Sequence, residues 1–567
     1  MTLRSSAAAR HVPGVRPVAP TVLEIDLSRG LVDGTPGDPL SGLRTRHTPR
    51  IGDVLGGLRR AVGDDSVAAV LLLLGGPVTA ARADELGLAL EAVSAAGKLT
   101  VAFAESFGEG GAGTVSYGLA AHCDVVWMQP SGSVGLTGVA VTVTLLRGSL
   151  DKIGAEPQFG QRHEFKTAAN TFAAEDVTAP QREMTQRLAD SVLEEVTETV
   201  TRRRRLDATR VAGAVQAAPL SAAQALEHGL VDRLGYRDEV YAAVRRQVGT
   251  DGQVRLRFAH RYAQRSSGRV ERLRRHRDPV VAVVEVHGQI VSGRSRAGGL
   301  GGPAAGSDSV VAALRAAQDD QHVKAVVLHV DSPGGSYVAS DAIRHAVITN
   351  QQSGRPVVAS MASVAASGGY FVSMAADRVV ALPTTLTGSI GVLAGKLVLR
   401  RSFERIGLLR EAMAAGPDAT MFSTLEPFTD TQWAKLDAWL DEVYADFTAK
   451  AAADRSMPYA ELEPLARGRV WTGADALRRG LVDELGGRQR AVQLACDLAA
   501  LDRDRVRLVK TPRMSRLERL RPAESTQSAA AAAVPLPLNA EALLGSLTGA
   551  LGLPHGPLAL PWTLSVH

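Results

Sequence analysis

The chain has 567 residues, of which 45% are hydrophobic and 22% charged, and its formal net charge is +5. That length exceeds what one hydrophobic core serves and that composition is ordinary for a globular protein, so two or more folded domains are expected. The two cysteines, Cys123 and Cys496, exclude a disulfide framework or a Cys-based metal centre, and thirteen scattered histidines without an HExxH pair argue against a metal enzyme. No GxxxxGK[ST] phosphate loop occurs either, and no cofactor is expected.

Residues 1–20 read as a disordered N-terminus. Arg4, Arg10 and Arg16 stand among Ala, Ser and Pro, without the apolar core of a signal peptide. The longest apolar run near the front, Val67 to Leu74, is too short to cross a bilayer. Neither an export signal nor a transmembrane helix is expected, which points to a membrane-associated or cytoplasmic protein.

Further along, the chain repeats itself. Ala225 to Gly235 (ALEHGLVDRLG) recurs as Ala476 to Gly486 (ALRRGLVDELG), Tyr117 to Asp124 matches Tyr370 to Asp377, and Ala69 to Leu72 matches Ala325 to Leu328. The opening strands, Val22 to Gly34 and Val281 to Gly293, also correspond. Each copy alternates short apolar strands with amphipathic helices. In the second copy the strands are Val280–Val286, Ala325–Val330, Val357–Ala359 and Arg378–Leu382. The helices are Ser309–Ala317, Val338–Thr349, one starting at Ser367, and a long one over Thr429–Arg455. Alternation of this kind predicts an α/β fold with mostly parallel sheets and crossover helices.

The expected organisation is an N-terminal repeat over 21–250, a basic linker over 251–278, a C-terminal repeat over 279–511 and an Ala/Pro/Leu-rich tail over 512–567. The linker arginines, among them Arg265, Arg269 and Arg272, read as solvated rather than as a lipid or nucleic-acid contact, and no nucleic-acid partner is expected. Arg202 to Arg205 read as a charged helix end. In the tail, Leu543, Leu544, Leu547 and Leu551 fall at helical spacing, which suits a membrane-surface or partner helix as well as a disordered segment.

The chemistry concentrates in Val357 to Asp377, read VVASMASVAASGGYFVSMAAD. Ser367 stands at a strand-to-helix turn ahead of Gly368 and Gly369, where its hydroxyl meets a helix N-terminus and the backbone can approach a substrate. Taken alone, such a serine is more often a helix cap or turn. A second turn, Asp331-Ser332-Pro333-Gly334-Gly335-Ser336, follows the strand Ala325–Val330. Two Gly-Gly turns after parallel strands share the carboxyl edge of a sheet, where ligands bind. A nucleophile from one and oxyanion donors from the other make a coherent acyl-transfer site. The first copy has Thr114-Val115-Ser116 in place of Ser367-Gly368-Gly369 and lacks this chemistry.

No lysine lies between Lys324 and Lys396 to activate Ser367. Eight of the 64 basic residues are lysine and the other 56 arginine. Lysine, unlike arginine, can lose its proton when buried, so a lysine in an apolar setting raises a chemical question. Lys166, in Glu164-Phe165-Lys166-Thr167-Ala168-Ala169, is such a residue, although a surface lysine would also fit there.

These turns, with Thr387-Gly388-Ser389-Ile390-Gly391-Val392 and Phe165-Lys166-Thr167-Ala168, resemble the long, two-repeat form of signal peptide peptidase A over residues 20–510. That family comprises serine peptidases of the Clp protease/crotonase fold. The resemblance implies a tandem pair of such domains and a Ser–Lys dyad shared between them. Ser367 of the second repeat would be the nucleophile and Lys166 of the first its general base. Ser389 would hydrogen-bond the lysine amine, and the Gly334, Gly335 and Gly368 region would form the oxyanion hole. It further implies an endopeptidase acting on short apolar peptides such as cleaved signal peptides and a ring-like homotetramer; a peripheral membrane contact is a separate expectation, in keeping with the apolar tail. No N-terminal anchor like that of the long forms is expected.

A dyad makes a physical demand. A lysine of pKa about 10.4 must fall to roughly 7 to accept a proton, which requires burial away from anions. Glu164 is therefore expected to point away from Lys166. Two rival readings remain at this stage. A crotonase-type acyl-CoA enzyme would tolerate loss of Ser367, and a non-catalytic membrane scaffold would not react with serine-directed probes.

Overall fold

Strands buried on both faces read as nearly continuous apolar runs, and the central strands here are of that kind. The computed structural model of the chain describes residues 19–32, 48–249, 253–263, 278–296, 302–511 and 558–559. The first repeat contains Thr21–Asp26 (β1), Val67–Leu74 (β2), Leu99–Ala104 (β3), Val125–Met128 (β4), Glu156–Gln161 (β5), Arg233–Leu234 (β6) and Arg255–Phe258 (β7). All but β5 form one sheet in the order β6-β4-β3-β2-β1-β7, with every neighbouring pair parallel. Central β2, VAAVLLLL, is buried at all positions but Ala68. The helices Ala80–Ala95 (α1) and Thr114–Ala121 (α2) connect strands, and the long Ala179–Arg204 (α3) packs on α2. Arg202, Arg203 and Arg204 close α3 and bond to Glu91, the His122 carbonyl and Asp232.

The strands of the second repeat include Val280–His287 (β8), Val323–Ser332 (β9), Gly334–Gly335 (β10), Val357–Ala366 (β11), Arg378–Ala381 (β12) and Leu386–Gly388 (β13). Leu393–Val398 (β14), Val470–Thr472 (β15), Glu484–Leu485 (β16), Arg507–Lys510 (β17) and Leu558–Ala559 (β18) follow. Its main sheet runs β15-β13-β11-β9-β8-β17, with β12 beside β11 and β16 beside β12. Only β15 is antiparallel to its neighbour. The helices Tyr337–Gln352 (α4), Gly368–Ser373 (α5) and Asp430–Asp454 (α6) belong to this repeat. A capping box between Thr429 and Gln432 starts α6.

The duplication extends to single bonds. Tyr117 Oη donates to the Leu230 carbonyl at 2.8 Å, and Tyr370 Oη to the Leu481 carbonyl at 3.0 Å. Asp232 accepts from Val126 N–H and Asp483 from Val379 N–H, each at 2.7 Å.

The repeats are stitched together. β5 of the first pairs antiparallel with β14 of the second, from Gln161↔Leu393 to Glu156↔Val398. The Arg187 guanidinium reaches Asp475 at 2.9 Å, Ser191 Oγ meets Thr472 Oγ1 at 2.7 Å, and Asp84 accepts from the Thr384 hydroxyl at 2.7 Å.

Two elements differ from the sequence reading. The linker expected from residue 251 starts later, because β7 is an edge of the first sheet and Ala259–Ala263 is helical with Ala259 and Tyr262 buried. Its arginine-rich sequence, RLRF followed by AHRYA, hides an edge strand behind charge. The strand expected over Val357–Ala359 continues to Ala366, since Ser360 and Ser363 interrupt its apolar run without ending its pairing. The linker arginines Arg265 to Arg277 and the leucines Leu543 to Leu551 lie outside the described residues. Backbone of β18 pairs antiparallel with β10, Gly334↔Ala559 and Gly335↔Leu558. Among the described residues no helix is long and apolar enough to cross a membrane.

Candidate active site

Ser367 follows the last residue of β11 and caps α5 with φ 56° and ψ −114°. Few residues other than glycine adopt such a backbone, which costs on the order of 1–3 kcal/mol and persists only where surroundings impose it. Those surroundings are visible. Ser367 N–H donates to the Gly388 carbonyl at 2.8 Å, and the Ser367 carbonyl accepts from Phe371 N–H at 2.9 Å. Ser389, at the end of β13, also has a positive φ, 52°. Its N–H donates to the Arg469 carbonyl at 2.7 Å.

Lys166 arrives from the other repeat. It follows β5 and immediately precedes the short 3-10 turn Thr167–Ala169. Phe165 N–H donates to the Arg467 carbonyl at 3.2 Å, so this stretch rests on the second repeat. Gly468 makes the contact close: its φ is 80°, and a Cβ there would stand 2.4 Å from Lys166 Cα.

The structure brings Lys166, Ser367 and Ser389 together. Lys166 Nζ lies 2.8 Å from Ser367 Oγ, 3.0 Å from Ser389 Oγ and 3.0 Å from the Ser389 carbonyl oxygen. All three residues are buried, Lys166 with 1% of its surface exposed. Burial alone pulls the Lys166 amine down to about 7. The Glu164 carboxylate faces Arg467 at 3.5 Å rather than the lysine, so no anion opposes that shift. A neutral amine has two N–H donors and one lone pair. The donors match the two Ser389 oxygens and the lone pair matches the Ser367 hydroxyl, which is the arrangement that can receive a serine proton.

The glycine turns meet beside Ser367. A Cβ on Gly368 would stand 3.1 Å from both Gly334 Cα and Gly335 N. The Gly334 N–H is engaged, donating to Ser332 Oγ at 3.1 Å. The Gly368 N–H, first of its helix, has no acceptor among the described residues. Gly334 and Gly335 have φ of 98° and 151°, which explains why this turn uses glycine twice.

The sequence reading missed the Arg467-Gly468-Arg469 loop. Its guanidinium of Arg469 sits 4.4 Å from the Phe165 ring centre, closing the lysine side of the site. A lone glycine between two arginines carries no chemical signature, and only its close approach to Lys166 gives it meaning. Among the described residues no group of His, Cys, Asp or Glu is arranged to hold a metal ion.

The model of peptidase family S49 matches residues 94–251 and 349–502, and that of Clp protease matches 303–387. Protease 4 of Salmonella typhi is 30% identical over 464 residues, 79% of this chain and 72% of its own. Protease 4 of Haemophilus influenzae is 30% identical over 81% of this chain and 75% of its own. The chloroplastic serine protease SPPA of Arabidopsis thaliana is 31% identical over 68% of this chain and 56% of its own.

Proposed function

Because the chain belongs to peptidase family S49, as a serine protease of the long, tandem Clp protease/crotonase-like form, we propose that it is an endopeptidase working through a Ser367–Lys166 dyad shared by its repeats. The observation that carries this reading is the 2.8 Å approach of a buried, anion-free Lys166 amine to Ser367 Oγ.

Neutral Lys166 takes the Ser367 proton as Oγ attacks the scissile carbonyl carbon. The carbonyl oxygen becomes an oxyanion, stabilised by N–H donors of the Gly335 and Gly368 region. As the tetrahedral intermediate collapses, the C–N bond breaks and Lys166 returns the proton to the leaving amine. Water then attacks the acyl-enzyme with Lys166 again as base, releasing the acid and restoring Ser367. Ser389 holds the amine so that its lone pair faces Ser367 rather than solvent.

The substrates proposed are short, apolar, extended peptides, including cleaved signal peptides. Backbone pairing of β18 with β10 is in keeping with this, since the same strand edge would accept an extended substrate by β-strand addition. A homotetramer and a peripheral membrane contact belong to the same reading, and sedimentation and liposome flotation test them.

The deciding experiment is labelling with a fluorophosphonate serine probe at mildly alkaline pH. Wild type should label, while Ser367→Ala and Lys166→Ala should each lose at least ~10³-fold in rate, in line with removal of a nucleophile or its base. A folded wild type that does not label would end the peptidase reading.

A further inference from the structure

β11 does not run evenly along β9. The two pair from Val326↔Val357 to Val330↔Met361, and pairing resumes at Ser332↔Ala365. Three residues of β11, Ala362 to Val364, therefore stand opposite the single residue Asp331. Before this bulge β11 pairs with β12, Val358↔Arg378 to Met361↔Ala381. From Val364 onwards it pairs instead with β13, Val364, Ala365 and Ala366 against Leu386, Thr387 and Gly388. Ser389 follows Gly388, and Ser367 follows Ala366. The bulge thus moves the strand from one neighbour to another and delivers Ser367 beside Ser389 and Lys166.

Bulges strip backbone groups of their ladder partners, and a buried unpaired group is costly. Here side chains take over. Val364 N–H donates to Asp331 Oδ1 at 3.1 Å, and the Ala362 carbonyl accepts from Thr385 Oγ1 at 2.6 Å. Asp331 is itself held, with His287 Nδ1 3.6 Å from its other oxygen. Burial pushes the Asp331 carboxyl up, but hydrogen bonding and charge from His287 and the Val364 N–H outweigh it and keep the carboxyl below its usual range.

The first repeat supplies the contrast. Gly75 occupies the position aligned with Asp331 and has no side chain to accept a bond. There the pairing of β2 with β3, from Ala69↔Leu99 to Leu74↔Ala104, ends before Gly75, and Phe107 further on bridges Val134 with no carboxylate at the Asp331 position. That repeat also has no serine at the Ser367 position. The carboxylate clamp and the serine are present together in one copy and absent together from the other.

We propose that Asp331 is a positioning residue: by accepting the Val364 N–H it holds the bulge in β11 that sets Ser367 against Lys166. This rests on Ser367 being the nucleophile. The role requires an acceptor at one place and does not require a charge, which gives a discriminating pair of variants. Asp331→Asn keeps an oxygen at the same place and drops the charge. Asp331→Glu keeps the charge and displaces the oxygen by a methylene.

The experiment compares peptide hydrolysis and fluorophosphonate labelling rates for wild type, Asp331→Asn, Asp331→Glu and Asp331→Ala, with thermal unfolding as the check on folding. Asn should retain kcat within about threefold. Glu and Ala should lose at least ~10-fold in kcat and in labelling rate, with KM changed less than twofold, as expected when alignment of a reacting group is disturbed. Should Ala fail to fold, the Asn–Glu pair still decides. Asn as impaired as Glu would overturn the clamp in favour of a charge effect, and Glu as active as wild type would overturn it outright. An active wild type with either pattern leaves the peptidase reading intact, whereas a wild type that never labels removes the nucleophile and the clamp's role with it.

Discussion

At Lys166, one nitrogen carries two opposed demands. As the proposed base it must be neutral near physiological pH, and burial supplies that by disfavouring the charged form. The same burial works against folding. An unfolded lysine stays protonated up to about 10.4, while the folded amine releases its proton near 7. Below pH 7 the folded state holds a buried charge and the full penalty applies; between 7 and about 10 the folded state binds fewer protons than the unfolded one, so stability rises with pH. Lys166→Met should therefore unfold at a higher temperature than wild type at pH 6, by about 2–4 kcal/mol in stability, with the gap closing towards pH 10. Thermal melts across that range check it, and a gap independent of pH would contradict it. The matching expectation for wild type is a kcat/KM that rises tenfold per pH unit below 7 and levels off above.

Between residue and repeat, the elements that matter are turns and strand pairings. Gly468 shows how a backbone position can govern the side chain of the proposed base. With φ 80° and Lys166 backbone 2.4 Å from where a Cβ would sit, Gly468→Ala must displace the lysine loop. It should lower the labelling rate at least ~10-fold. Gly354→Ala is the control, because its φ is 79° but nothing lies within 4 Å of the added carbon. That variant should lose about 1–2 kcal/mol of stability and no activity. Equal activity losses in the two would show that the contact with Lys166 is not the cause. The glycine turns at Gly334 and Gly368 were legible in the sequence because each follows an apolar strand in a repeated pattern. Gly468 was not, since its role depends on a chain segment about three hundred residues away. The extension of β11 beyond Ala359 was hidden for a related reason, because its continuation turns on distant partners, Asp331 and Thr385 at the bulge and β13 beyond it, rather than on its own alternation. Edge strand β7 was hidden by its arginines.

For the molecule as a whole, the seam between repeats matters as much as either sheet. Internal repetition made the duplicated plan readable from the sequence, and the resemblance suggested that the chemistry was divided. How the halves are joined was not readable, because β5, β14 and the Asp84–Thr384 contact have no local signature. Asp84 illustrates the cost of such a seam. Burial raises its carboxyl to about 7, although the Thr384 hydroxyl and N–H both donate to it. A carboxyl raised in the folded state favours folding at low pH, and that contribution fades from about pH 4 until the folded group ionises near 7. Asp84→Asn keeps an acceptor for Thr384 without the charge. Its stability advantage over wild type should grow from about pH 4 to 7 and stay constant above, reaching on the order of 2 kcal/mol. Urea titrations at pH 5 and pH 8 measure this, and an Asn variant weaker at pH 8 would contradict it.

Lys166 and Ser367 lie 201 residues apart in the chain and in different repeats. During synthesis the N-terminal repeat emerges and folds first. Under the proposed dyad it then carries a general base with nothing to deprotonate. The proposed nucleophile is made later, and the amine beside it comes from the other repeat. With the dyad divided in this way, hydrolytic power would arise only when both halves have folded and docked, and the ribosome-bound chain and its unfolded neighbours would not be exposed to a half-built protease. The division of labour would then serve as a timing device, in which completion of folding is the event that switches the enzyme on.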